Sequence, residues 1–276
     1  MLSAEQIKAY KQQGFLVLHE HFSLDEMQQL RAEALNIVDN FDPNLSRSIF
    51  STESESNTNR DDYFLSSDDK VRCFFEEDAF SESGELGQEK ALSINKIGHA
   101  LHRLNPVFSN FSQGSDIANI ARDLGLRQPE IRQSMYIFKQ PKIGGVIRWH
   151  QDATYFYTTP QTVITYWLAI EDATLINGCL QVDKQGAHFP LKEQFKRYEN
   201  DSTELVQIED IEWPENDRAL PLEVKAGTLV VFNGVLPHFS EANRSNKSRH
   251  AFTLHLTCRS AEYHTHNWIR AEGLAI

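Results

Sequence analysis

The chain has 276 residues, of which 40% are hydrophobic and 11% aromatic, so it has ample material for a folded core and is not intrinsically disordered. With 27 Lys and Arg against 39 Asp and Glu, its formal net charge is −12, which disfavours nucleic acid or an anionic membrane surface as the main partner. The absence of a long apolar run, of a secretory pattern in the polar first residues and of any disulfide or zinc pattern among the three scattered cysteines leads us to expect a cytoplasmic protein.

The first 128 residues have the pattern of a helical layer. Ser3 with Gln6 and Ser23 with Glu26 fit the capping box, in which a side chain at each position satisfies a backbone amide of the first helical turn. A further helix is expected where apolar residues recur at helical spacing. The remaining predictions for this part are a short strand at residues 15–18, helices at about 92–104 and 116–124, and a mobile polar surface loop at 46–62.

After residue 129 the pattern changes to short runs rich in Val, Ile, Thr and aromatic residues, which are typical of strands. Such strands without intervening helices predict an antiparallel sandwich or barrel, so the fold class is mainly β with flanking helices (α+β). We expect one domain over residues 1–276, with the helical layer at about 1–128 and the β core at about 129–260. The predicted strands are 131–138, 161–170, 179–182, 228–232 and 250–258, with a hairpin turn at Asn177-Gly178 and a polar insertion on the barrel rim at 184–221.

Three residues form a candidate metal site. His150 and Asp152 are two apart, so on an extended segment their side chains point to the same face, and His238 follows on a distant strand. Two imidazoles and one carboxylate leave open positions on one side of a metal ion, the arrangement of non-haem Fe(II) oxygenases. Because a His-x-Asp tripeptide also arises by chance, the alternative is a surface histidine beside a capping aspartate.

Arg249 strengthens the metal-site interpretation. In an alternating strand it shares a face with Ala251, Thr253 and His255, which is the face turned to the barrel interior. A buried guanidinium requires an anion, and a bound carboxylate suits its planar fork. Ser240 can donate a second hydrogen bond to that anion. The alternative is an arginine at a strand end that reaches solvent.

Several longer motifs resemble the phytanoyl-CoA dioxygenase family. They are Trp-His-Gln-Asp-Ala-Thr at residues 149–154, Glu-Asp-Ala-Thr-Leu-Ile-Asn-Gly-Cys-Leu at 171–180, the stretches at 94–102 and 134–141, and the spacing of His238 and Arg249. The resemblance covers about residues 5–270. It implies a double-stranded β-helix, or jelly-roll, core of the cupin type that uses Fe(II), 2-oxoglutarate and O₂.

The resemblance also implies roles for single residues. His150, Asp152 and His238 would hold the iron, and Arg249 and Ser240 would receive the far carboxylate of 2-oxoglutarate. Three further positions match residues that line the cosubstrate site in the family: Lys96, Met135 and Trp167. For Lys96 the alternative is a solvated helix lysine, and for Met135 and Trp167 it is packing in the core.

The implied activity is a dioxygenase that hydroxylates an organic substrate and releases succinate and CO₂. Two alternatives use the same His/Asp/His site: a jelly-roll metal-dependent hydrolase or isomerase, and a non-catalytic binding module. The chain departs from the family at residues 184–188, which bears on substrate fit, although His188 is not expected to be a fourth ligand. The sequence does not identify the substrate: a small molecule, an acyl compound such as a lipid-like acid, and a protein side chain stay open, and the acidic charge disfavours a CoA ester. The sequence indicates no oligomeric state.

Overall fold

A computed structural model describes residues 1–44, 46–50 and 61–276. Most of the polar loop predicted at residues 46–62 lies outside the described residues. Within them, no helix combines the length and apolar character needed to cross a membrane. The cysteines Cys73, Cys179 and Cys258 are buried, free thiols.

The described chain alternates short helices with short strands. The helices are α1 (Ala4–Gln13), α2 (Leu24–Asn40), α3 (Asp62–Leu65), α4 (Leu101–Leu104), α5 (Pro106–Ser112) and α6 (Ser115–Asp123). The strands in the first half are β1 (Phe15–Leu18), β2 (Val71–Phe75), β3 (Ile94–His99), β4 (Pro129–Ile137), β5 (Ile147–His150), β6 (Thr158–Thr159) and β7 (Ile164–Ala169). Those in the second half are β8 (Gln181–Asp183), β9 (Glu193–Arg197), β10 (Thr203–Gln207), β11 (Ala219–Pro221), β12 (Leu229–Asn233), β13 (His238–Ser240), β14 (Ala251–Cys258), β15 (Glu262–Tyr263) and β16 (Leu274–Ala275).

The first two helices begin where the sequence predicts. The Ser3 side chain accepts from the amide of Gln6 while the Gln6 side chain accepts from the amide of Ser3, and Ser23 and Glu26 repeat this pair at the start of α2. Gly14 ends α1 with a φ of 81°, a left-handed conformation that glycine adopts without strain.

Two antiparallel sheets form the body of the protein. Within the described residues, the larger sheet has eight strands in the order β1-β12-β7-β14-β4-β3-β2, with β16 also paired to β4. The smaller sheet has four strands in the order β11-β8-β13-β5, and the pairs β9-β10 and β6-β15 lie apart. Helix residues such as Leu30 and Ile120 share a core with Phe252 and Leu254 of β14, so the helices cover one face of the larger sheet.

The helix predicted at residues 92–104 is wrong in its first half, which is strand β3. Ile94, Ile97 and Leu101 recur at nearly helical spacing, and this short pattern does not distinguish a helix from a strand that is buried on both faces. All six residues of β3 are buried, because it lies between β2 and β4. Lys96 is therefore a buried strand residue and not a solvated helix lysine. With β1 and β2, β3 adds strands to the part of the chain expected to be a helical layer.

The predicted hairpin at Asn177-Gly178 does not form. The turn is present, with Gly178 at a φ of 77°, but β7 before it pairs with β12 and β14 in the larger sheet, whereas β8 after it pairs with β11 and β13. The turn therefore carries the chain from one sheet to the other. The polar segment at residues 184–221 contains the β9-β10 pair and ends in β11, which extends the smaller sheet.

Candidate active site

One cavity lies between the two sheets and contains every predicted site residue. Strands β3, β4, β7 and β14 of the larger sheet form one wall, and β5 and β13 of the smaller sheet form the other. Its walls include all eight residues singled out in the sequence: Lys96, Met135, His150, Asp152, Trp167, His238, Ser240 and Arg249.

His150, Asp152 and His238 are close enough to bind one metal ion. One ligand atom from each lies within 4.8 Å of the other two. The Nε2 atoms of His150 and His238 each lie 3.8 Å from Oδ1 of Asp152. The strand register explains this, because β5 and β13 pair with His150 opposite His238. Asp152 follows β5 through the extended residue Gln151, so it returns to the same face as His150.

Both histidines present Nε2 to the candidate metal position. Nδ1 of His150 donates to the carbonyl of Arg148 at 2.8 Å, and Nδ1 of His238 donates to the carbonyl of Leu236 at 3.0 Å. This fixes the tautomer in which Nε2 carries a free lone pair. Burial lowers the pKa of His150 to about 4, and His238 lowers it further in the same direction, so the imidazole is neutral at physiological pH and fit to bind a metal.

Asp152 has one oxygen held by protein and one directed to the histidines. Oδ2 accepts from Thr165 Oγ1 at 2.5 Å and lies 3.5 Å from His255 Nε2. Burial alone raises the pKa of Asp152, but the imidazoles of His238, His255 and His150 lower it well below its ordinary value. The group is therefore a carboxylate with Oδ1 available as a ligand. His255 lies on the predicted inward face of its strand, but it was not singled out in the sequence.

Replacing Thr165 with valine is expected to weaken Fe(II) binding about tenfold or more, because the support for the second oxygen of Asp152 is lost while the shape is kept. Anaerobic titration calorimetry measures this affinity. Thr253→Val is the matched control, since Thr253 lines the same cavity and, in the part of the chain that the structure describes, its hydroxyl donates to the carbonyl of Met135 and not to Asp152. Equal Fe(II) affinities for wild type and Thr165→Val would contradict the supporting role.

Two residues missed in the sequence position the metal-binding segment. The Gln151 side chain donates to the carbonyls of Pro190 and Val235 and accepts from the amide of Lys192, which ties the segment between the histidine and the aspartate to two loops. The carbonyl of Gly234 accepts from the amide of Ala153. Gln151 lies between His150 and Asp152, so on an extended segment its side chain points away from theirs. This alternation was the sequence signal that could have identified it as a positioning residue.

Arg249 lies at the deep end of the cavity. It is 3% exposed, and its Nε and Nη1 atoms have no hydrogen-bond partner in the described structure. Its guanidinium carbon lies 5.3 Å from the centre of the Trp167 ring. Burial lowers the pKa of Arg249 to about 10, so it stays charged at neutral pH. A buried charge with unused donors fits a carboxylate ligand, as the sequence predicted.

The other predicted cosubstrate residues lie along the same cavity. Lys96 Nζ is 3.9 Å from the sulfur of Met135 and 3.0 Å from the centre of the Phe50 ring. Trp167 and Ser240 also line this cavity, and both are buried, Trp167 on the larger sheet and Ser240 on the smaller one. The Ser240 hydroxyl accepts from Lys139 Nζ at 2.9 Å. Lys139 was not among the predicted site residues.

Comparison with known proteins identifies the family. The profile of the family Phytanoyl-CoA dioxygenase (PhyH) matches residues 10–251. The chain is 41% identical over 273 residues to a phytanoyl-CoA dioxygenase of Arabidopsis thaliana, covering 98% of this chain and 94% of the relative. This protein belongs to the phytanoyl-CoA dioxygenase family. Phytanoyl-CoA dioxygenase domain-containing protein 1 of Mus musculus is 40% identical over 262 residues, with 92% and 90% of the two chains covered.

Solved structures show the same fold. The non-haem α-ketoglutarate-dependent carbocyclase SnoK from nogalamycin biosynthesis superposes with a TM-score of 0.67 at 18% identity, covering 100% of this chain and 93% of that one. The two sheets are thus the jelly-roll of this fold, although within the described residues they do not close into a barrel. Membership of the phytanoyl-CoA dioxygenase family makes the chain an enzyme of the non-haem iron class, with Fe(II), 2-oxoglutarate and O₂ as its cofactors.

Proposed function

We propose that this member of the phytanoyl-CoA dioxygenase family hydroxylates an organic substrate and converts 2-oxoglutarate to succinate and CO₂. One observation carries the proposal: a His/Asp/His metal site and a buried arginine with two unused donor atoms line the same cavity. A facial metal site needs three open positions for a chelating 2-oxo acid and O₂, and the arginine supplies the charge for the acid's second carboxylate.

Each residue has a defined task in this proposal. His150, Asp152 and His238 would hold the metal from one side. Arg249 and Ser240 would bind the far carboxylate, which orients the 2-oxo group toward the metal. When bound, Fe(II) and 2-oxoglutarate supply the oxidising chemistry, in which one oxygen atom of O₂ enters succinate and the other enters the substrate.

Aromatic side chains form another part of the wall. Phe156 stacks on His255 with ring centres 4.7 Å apart, and Phe64 stacks on Trp268 with centres 4.7 Å apart. All four residues line the cavity. We propose that they exclude water from the reacting substrate and receive its apolar part, which fits a small molecule or an acyl compound.

The test is spectroscopic and catalytic. Anaerobic addition of Fe(II) and 2-oxoglutarate should produce a weak visible charge-transfer band that zinc does not give. In air, the protein should convert 2-oxoglutarate to succinate slowly without substrate, and the right substrate should accelerate this conversion. His238→Ala should lose both signals, whereas the matched variant His188→Ala should keep them, because His188 is exposed and outside the candidate site.

The alternatives give different outcomes. A hydrolase or isomerase would be active with zinc and would show no band with 2-oxoglutarate, and a binding module would bind ligands without forming succinate. Either result would overturn the proposed function. We further propose that residues 1–276 work as one domain and that the protein resides in the cytoplasm, where its three free cysteines would stay reduced.

A further inference from the structure

Lys139 is a buried lysine at the deep end of the cavity. It follows β4 with a φ of 42°, a left-handed conformation uncommon for residues other than glycine. Its carbonyl accepts from the Asn243 side chain at 2.8 Å and from the amide of Arg249 at 3.2 Å. The backbone that carries this lysine is therefore fixed to the segment that precedes β14 and carries the arginine.

The Lys139 side chain lines the cavity, and its hydrogen-bond partners among the described residues are uncharged. Nζ donates to the carbonyl of Gly145 at 2.6 Å and to the Ser240 hydroxyl at 2.9 Å. The residue is 3% exposed. An ammonium group has three donors, so one remains for a ligand. Lys139, Ser240 and Arg249 thus present hydrogen-bond donors to the same end of the cavity.

Gly178 makes room for this lysine. A Cβ at residue 178 would lie 2.7 Å from Cε of Lys139 and 2.4 Å from the carbonyl oxygen of Glu241. The glycine of the predicted hairpin turn therefore allows the lysine stem to pass between the two sheets. The Lys139 side chain is therefore buried in the folded protein.

Two buried basic side chains, Lys139 and Arg249, line this part of the cavity. The charge of Arg249 lowers the pKa of Lys139, whereas Glu76, Glu241 and Cys179 act in the opposite direction. Glu76 is engaged by the Asn95 side chain at 2.7 Å, and burial raises its pKa. Among the described residues, neither cation has a hydrogen-bonded carboxylate. Two buried cations without an anion are costly unless a ligand supplies one.

We propose that Lys139 is a second cationic residue for the far carboxylate of 2-oxoglutarate, and that it takes up a proton when this carboxylate binds. The inference rests on the proposed function. Burial, followed by the charge of Arg249, lowers the pKa of Lys139 to about 7, whereas a bound carboxylate favours the charged form and raises it. The affinity for 2-oxoglutarate is therefore highest below about pH 7 and falls by up to about tenfold per pH unit above it.

The test distinguishes binding of the far carboxylate from binding of the rest of the ligand. Fe(II)-loaded wild type and Lys139→Met are titrated anaerobically by calorimetry with 2-oxoglutarate and with 2-oxopentanoate, which has a methyl group in place of that carboxylate. We expect Lys139→Met to weaken 2-oxoglutarate binding about 30-fold or more and to change 2-oxopentanoate binding less than about twofold. Lys142→Met is the matched control, because Lys142 is an exposed lysine three residues away.

The pH dependence provides a second readout. Wild type should take up protons on binding 2-oxoglutarate near pH 8, seen as a dependence of the binding heat on the ionisation enthalpy of the buffer, and Lys139→Met should not. Unchanged 2-oxoglutarate affinity in Lys139→Met, or an equal loss for both ligands, overturns the inference. If wild type binds no 2-oxoglutarate at all, the proposed function fails instead. If wild type binds and only Arg249 variants lose affinity, this inference alone fails.

Discussion

Replacing Asp152 with alanine should weaken Fe(II) binding by more than about 100-fold and abolish succinate formation, since Asp152 is the only anion among the three donors. The metal-free fold should survive, because the segment stays tied through Gln151. Thermal melting without and with Fe(II) measures the survival of the fold and the metal binding. Fe(II) at about 1,000 times its Kd stabilises wild type by about 4 kcal/mol, and this gain should vanish in Asp152→Ala.

Asp152→Asn separates charge from shape. It keeps the size of the side chain but removes the negative charge, so we expect it to lose most of the metal-induced stabilisation as well. Asp210→Ala is the control for loss of a carboxylate, because Asp210 is exposed, accepts from the Gln207 side chain and lies outside the candidate site. If Asp152→Ala kept its metal-dependent melting shift, the ligand assignment for Asp152 would have to be abandoned.

The meeting of the three side chains of the candidate metal site was predictable in part, because it follows from local rules. Side chains two apart on an extended segment share a face, which is how His150 and Asp152 meet. The same alternation predicted that Arg249 and Thr253 share the inward side, and both line the cavity, Thr253 within β14 and Arg249 two residues before it. The capping boxes at Ser3 and Ser23 are local in the same sense, since each involves residues three apart.

The parts that sequence reasoning missed depend on contacts between distant segments. Strand β3 has apolar residues at helical spacing, and its polar residues are buried because β3 lies between β2 and β4 and lines the cavity. In the sequence, nothing distinguishes Lys139 from a surface lysine. Its burial depends on its left-handed backbone and on the space that Gly178 leaves for its side chain. Thr165 supports Asp152 across 13 residues, a pairing that only the sheet arrangement creates.

Replacing Arg249 with methionine should have opposite effects on ligand affinity and on stability. The affinity for 2-oxoglutarate should fall by more than about 100-fold, because the far carboxylate would be buried with one of its charged partners removed. Binding of 2-oxopentanoate should be nearly unchanged, since it lacks this carboxylate. Anaerobic calorimetry with the two ligands measures the difference.

The free energy of unfolding without ligand should rise by about 1–4 kcal/mol in Arg249→Met, because a buried charge is replaced by an apolar side chain of similar length. The guanidinium has two unpartnered donor atoms and a pKa lowered to about 10, so its burial is unfavourable until an anion binds. Arg244→Met is the control, because Arg244 is exposed. A destabilised Arg249→Met variant that still binds 2-oxoglutarate normally would show that the arginine has a structural role only, and the cavity end would then need another ligand.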